Sequence, residues 1–204
     1  MAIDLNKYLI DDVEKTFSRL FVLAVHQYMN PFAFTYLLSK SNYVAKLEEG
    51  DIDAISNWPI EKAYFDATKE TVKDDSYGIY NDAYWSGYSY FELFLKTHKP
   101  FSYLFLKLPL EKMLDIYDEI FHEMDFTSLL EYFKKRETEN TILGVLCKNK
   151  KCSLTKLKEA TGISVNTLSK YRSSDEILYK ASFQNIYKLA RYFEVPISLF
   201  VDSL

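Results

Sequence analysis

The chain has 204 residues, 48% hydrophobic and 17% aromatic, with 25 Lys/Arg against 29 Asp/Glu for a formal net charge of −4. That length holds one large domain or two modest ones, and no internal repeat or low-complexity segment breaks it up. No stretch approaches the ~20 apolar residues that cross a bilayer, the acidic start MAIDLNKYLIDDVEK is not expected to act as a secretion signal, and Cys147 and Cys152 make no metal site by themselves.

Taken in chain order, residues 1–140 read as helices. Val13, Phe17, Leu20, Phe21, Ala24 and Tyr28 share one face of a first helix that stops before Pro31. Asn30 is placed to cap a second helix, with Pro31 at its first position and Phe32, Tyr36 and Leu37 on its apolar side. Pro59 opens another, through Tyr64, Phe65 and Thr68. Asp82 to Thr97 carries Trp85, Tyr88, Phe91 and Leu95, and Gly87 is expected to let a neighbouring helix approach closely. Phe101 to Leu108 is the one candidate strand, and one strand makes no sheet. Pro109 starts a helix over PLEKMLDIYDEIFHEM, and Thr127 is expected to cap TSLLEYF. Thirteen Tyr, twelve Phe and two Trp fall in these 140 residues, enough aromatic surface for a substantial core.

The charged run KKRETEN, Lys134 to Asn140, has no Pro or Gly. It reads as a helical seam between an acidic, aromatic-rich domain at 1–136 and a second domain at 137–204. Beyond it, TILGVLCKNK places Ile142, Val145 and Leu146 on one helical stripe. Ser153 is expected to cap a helix with Leu154, Leu157 and Ala160 on one face, and Gly162 to end it. Ile163 packs inward from the turn, and Ser164 is expected to cap a further helix that buries Leu168 and Tyr171. That helix presents Val165, Asn166, Thr167, Ser169, Lys170 and Arg172, a small polar face of the kind that enters a major groove. Ser182 is placed to cap SFQNIYKLARYF, with Phe183, Ile186, Leu189, Ala190 and Phe193 inward.

These residues, Asn140 to Leu204, resemble the Cro/repressor-type (XRE-like) helix-turn-helix family. The resemblance implies an all-α, five-helix DNA-binding domain at the C-terminus, with EVPISLFVDSL as its closing turn and fifth helix. Three positions depart from the family pattern. Lys158 stands where Ala is usual, Leu154 stands where Gln is usual, and the loop from Ser173 to Ala181 is longer and has no Gly. The N-terminal order of parts is reminiscent of small bacterial proteins found near toxin–antitoxin genes and in mobile elements.

Charge divides the same way. Residues 141–204 hold ten Lys/Arg and five Asp/Glu, a balance of +5, and residues 1–140 hold fifteen and twenty-four, a balance of −9. A basic module on an acidic one suits attraction to phosphate at one end only. The expected function is a cytoplasmic, sequence-specific, DNA-binding transcriptional regulator, a repressor of bacterial or phage origin. Val165, Asn166, Thr167, Ser169 and Lys170 would face base edges, with Arg172, Lys150 and Lys180 on phosphates. A homodimer on double-stranded DNA is expected, with the N-terminal domain serving dimerisation or the binding of a protein or small-molecule signal, and no membrane, no cofactor and no metal. The alternative is an interaction protein, such as an antitoxin or a phage-encoded inhibitor of a host defence, that represses its own gene.

A third reading is catalytic. Arg19 and His26, seven apart on the first helix, are similar in spacing to the Arg–His motif of the HEPN ribonucleases, whose His acts on an RNA phosphodiester while Arg holds the phosphate. The six residues between them are all apolar, which favours a core role, and the chain is expected not to be an enzyme. His122, Glu123 and Asp125 cluster in sequence but supply too few ligands for a tetrahedral zinc site.

Overall fold

The computed structural model describes residues 7–73, 78, 80–117, 126–139 and 141–200, and among them all regular structure is helical, with no strand. The chain divides into two compact units, Met1–Leu129 and Leu130–Leu204.

In the first unit α1 (Lys7–His26) packs along α5 (Asn81–Thr97). The pattern on α1 explains why: Val13, Phe17, Leu20, Phe21 and Ala24 are all 2% exposed or less. The close approach is made at Gly87. A Cβ there would lie 2.6 Å from the Ser18 Cα and 2.8 Å from the Phe21 ring, so only glycine fits the crossing. Around it lies an aromatic cluster in which Phe17 and Phe101 have ring centroids 4.7 Å apart, and Phe21 meets Phe34 edge-on at 5.2 Å.

The shorter helices surround this pair. In α2 (Pro31–Leu38) the Asn30 side chain accepts from the Ala33 N–H, as the sequence implies. Its buried face differs from the expected one: Phe34, Thr35 and Leu38 are inside, whereas Phe32 is 47% exposed. α3 (Asn42–Glu49), which the sequence reading did not single out, runs from a Ser41 cap to a left-handed Gly50. α4 (Ile60–Thr68) follows Pro59, with Tyr64 and Thr68 buried and Phe65 turned out. Tyr28 is also outside the core, because α1 ends at His26 and Tyr28 takes a left-handed φ of 55°.

The expected strand at Phe101 to Leu108 is a helix, α6 (Phe101–Lys107). Phe101 and five residues from Tyr103 to Lys107 are buried, so the run has no polar face to reveal its period. Its start is fixed from elsewhere in the chain, where the Glu48 carboxylate accepts from the Phe101 N–H at 2.6 Å. In the same way Asp66 of α4 accepts from the Tyr43 N–H at 2.8 Å at the start of α3. α7 (Leu110–Ile116) follows Pro109; the continuation expected beyond it, with His122, Glu123 and Asp125, lies outside the described residues. α8 (Phe126–Glu139) begins before Thr127, which therefore sits inside the helix rather than capping it. The charged run from Lys134 is helical as far as Glu139.

In the second unit, five α-helices follow α8: α9 (Ile142–Asn149), α10 (Leu154–Thr161), α11 (Val165–Ser173), α12 (Asp175–Tyr179) and α13 (Phe183–Phe193). A 3₁₀ turn, Ile197–Phe200, stands where a fifth family helix was expected. The loop read between Ser173 and Ala181 contains α12, which accounts for its length. The core is Ile142, Leu143, Leu157, Ile163, Leu168, Leu178, Leu189 and Phe200, each 4% exposed or less. Leu143 and Cys147 are buried on α9 beside the expected stripe, and Val145 is only half-buried. Leu154 is half-buried and Ala160 exposed, so the inner face of α10 is Leu157 and Thr161. Phe183, expected inside, is 69% exposed.

Candidate nucleic-acid interface

The second unit is assembled by polar side chains at helix ends. Thr141, Ser153, Ser164 and Ser182 each accept a backbone N–H from the first turn of the helix they precede. Gly162 ends α10 with a φ of 70°, and its N–H donates to the Lys158 carbonyl at 2.7 Å. Ile163, 4% exposed, then plugs the turn, and its N–H donates to the Thr161 hydroxyl at 3.3 Å. A cap, a left-handed glycine, an inward isoleucine and a second cap turn the chain sharply from α10 into α11.

α11 is held from three sides. Leu168 is fully buried and Tyr171 is 7% exposed. The Asn185 amide of α13 donates to the Tyr171 hydroxyl at 3.1 Å. At the far end the Thr141 hydroxyl donates to the Arg172 carbonyl at 2.8 Å, and Asp175 accepts from the Ile142 N–H at 2.7 Å. Lys158 and Leu154, which depart from the family pattern, do not obstruct this packing, because Lys158 is exposed and Leu154 only half-buried.

The outer face then follows from helical geometry. Val165, Asn166, Ser169, Lys170 and Arg172 are exposed, with Val165 at 37%. Thr167 is half-exposed, and its hydroxyl lies 2.9 Å from the Ser164 hydroxyl, so it belongs to the cap as much as to the surface. The Lys170 ammonium and the Arg172 guanidinium form no hydrogen bond or ion pair among the described residues. Two other expected phosphate contacts are engaged within the chain. The Lys150 ammonium donates to the Tyr192 carbonyl at 2.5 Å, lies over the Tyr192 ring, and is 3.6 Å from the Glu194 carboxylate. Lys180 pairs with Glu176 at 2.7 Å, and this exposed partner holds the Glu176 carboxyl below its ordinary range. A cation that the sequence reading passed over is Lys188 of α13. Its ammonium would lie 3.9 Å from a Cβ on Gly162, so it reaches the turn itself. A position fifteen residues beyond α11 offers no local signal for that approach.

Burial and the neighbouring Cys152 thiol push the Cys147 thiol up to about 12, so it stays protonated at neutral pH and is a poor nucleophile or metal ligand. Among the described residues no group of three His, Cys, Asp or Glu side chains comes together to hold a metal ion. No described helix is long and apolar enough to cross a membrane. In the first unit His26, half-buried at the end of α1, has its ring 6.1 Å from that of Tyr80, whereas Arg19 lines a cavity that His26 does not reach.

The folded unit is that of a helix-turn-helix protein, and residues 143–198 match the family model of the Cro/C1-type HTH DNA-binding domain. The C-terminal part of this chain is therefore a Cro/C1-type DNA-binding domain. Comparison with curated proteins and with solved structures gives no match.

Proposed function

We propose that the protein is a transcriptional regulator, a repressor that reads duplex DNA through α11. The observation that carries this is the family match together with a rigidly held α11 whose outer face is polar and cationic. Asn166 and Lys170 read base edges, Asn166 suited to adenine and Lys170 to guanine; Ser169 and Thr167 accept either, and Val165 suits a thymine methyl. Arg172 takes a phosphate directly. Lys150 and Lys180 do so at some cost, since each must first leave Glu194 or Glu176. One such module makes few contacts, so two copies act on a two-fold operator with half-sites about 34 Å apart. The stacked, exposed Phe183 and Tyr187 rings on α13 support an interface on this unit. The acidic first unit receives the signal and does no chemistry.

The test is selection of binding sites from random duplexes, followed by gel-shift titration over a range of salt. Asn166→Ala is expected to relax one position of the selected site, at about 1–3 kcal/mol of discrimination. Arg172→Ala should weaken all sequences alike and reduce the salt slope by about one. Lys180→Ala should change it less. A selected site that is unaltered in both Asn166→Ala and Lys170→Ala would remove α11 from the role of reader.

A further inference from the structure

The first unit contains a cavity of about 470 Å³, within the size range of small-molecule sites (about 300–1,000 Å³). Its lining has an unusual combination of chemistries. Arg19 of α1 and Glu61 of α4 both face it, yet they form no ion pair with each other or with any other described residue. A cation and an anion that share a cavity without meeting hold two opposite charges apart at its wall. Between them, Tyr80 and Tyr84 supply aromatic surface and Val22 and Ile60 apolar surface. The Asn81 amide supplies a further donor and acceptor, and no described residue engages it. The starts of α4 and α5 lie nearby, but Glu61 and Asp82 already complement them, so they add no anion preference.

We infer that this cavity binds a small zwitterion with an aromatic or aliphatic body, of amino-acid to dipeptide size. The carboxylate takes the Arg19 guanidinium, whose planar fork suits bidentate pairing. The ammonium takes Glu61, and the body lies against Tyr80, Tyr84 and Val22. The balance of −9 over residues 1–140 disfavours a purely anionic ligand such as a nucleotide, whereas a net-neutral ligand escapes that repulsion. This deepens the reading of the first unit as a signal receiver, and it gives Arg19 a use that requires neither His26 nor catalysis.

The experiment is calorimetric titration of the full chain, without DNA, against the aromatic and aliphatic L-amino acids, with 3-phenylpropanoate and phenethylamine as half-ligands. Saturable binding of at least one amino acid is expected, tighter than either half-ligand. Arg19 and Glu61 are surface-facing, so Arg19→Ala and Glu61→Gln should fold. Arg19→Ala is expected to weaken the amino acid and 3-phenylpropanoate by about 10- to 100-fold and to spare phenethylamine. Glu61→Gln is expected to weaken the amino acid and phenethylamine to a similar degree and to spare 3-phenylpropanoate. No saturable binding across the panel, or an affinity unchanged in both variants, overturns the inference. Equal affinity for 3-phenylpropanoate and its amino acid overturns the zwitterion. Because DNA is absent, ligand binding without operator binding would sink only the regulator reading, and the converse would sink only this one.

Discussion

At the scale of single residues, the first unit contains a carboxyl placed against its own preference. Burial, and then the carboxylates of Glu92 and Asp11, push Glu14 from an ordinary 4.5 up to about 7. Between those two values the folded chain binds more protons at this site than the unfolded chain does. Stability contributed by the site is therefore present below 4.5, falls as pH rises through the window, and has gone above about 7. Glu14→Gln removes the titration. The difference in melting temperature between Glu14→Gln and wild type is expected to grow in favour of the variant from pH 4.5 to pH 7 and then stay constant. Parallel melting curves across that range would show that solvent reaches Glu14 freely. Lys150 makes a related point on the surface. A lysine in a basic cluster reads as a phosphate ligand, but its actual neighbours, Tyr192 and Glu194, lie more than forty residues away in sequence.

At the scale of elements, the pairing of α1 with α5 depends on a side chain that is missing. Alanine at position 87 gains helix propensity of at most about 1 kcal/mol over glycine. It also places a methyl 2.6 Å from the Ser18 Cα, which is backbone and cannot swing aside. Overpacking of this kind costs about 1–3 kcal/mol. Gly87→Ala is thus expected to lower the denaturant midpoint, and a raised midpoint would mean that the helices cross with room to spare. The turn between α10 and α11 shows the opposite case. Ser153, Gly162 and Ser164 act through their own neighbours in sequence, so the element they make is legible without knowing what it packs on. α6 is the contrast, since its start depends on Glu48 and its burial hides its period.

At the scale of the whole molecule, the chain joins an acidic aromatic unit to a basic DNA-binding one. The charged run Lys134 to Asn140 reads as the seam, with a boundary after residue 136, whereas the compact units divide between Leu129 and Leu130, inside α8. Phe133, 1% exposed, then falls in the second unit. Removing a buried phenylalanine costs about 3–5 kcal/mol. A fragment of residues 130–204 is therefore expected to melt at a higher temperature than one of residues 137–204. Equal melting temperatures by circular dichroism would favour the later seam. By itself the sequence determined the helical class, the reversal of charge and the helix-turn-helix, because caps, turn glycines and amphipathic periods are written within a few residues of where they act. Only the tertiary structure decided the buried face of α2, the helical state of α6, the occupation of Lys150 and the placing of Arg19 and Glu61 on the wall of one cavity. Those depend on groups brought together from distant parts of the chain, and no local pattern records which distant group arrives.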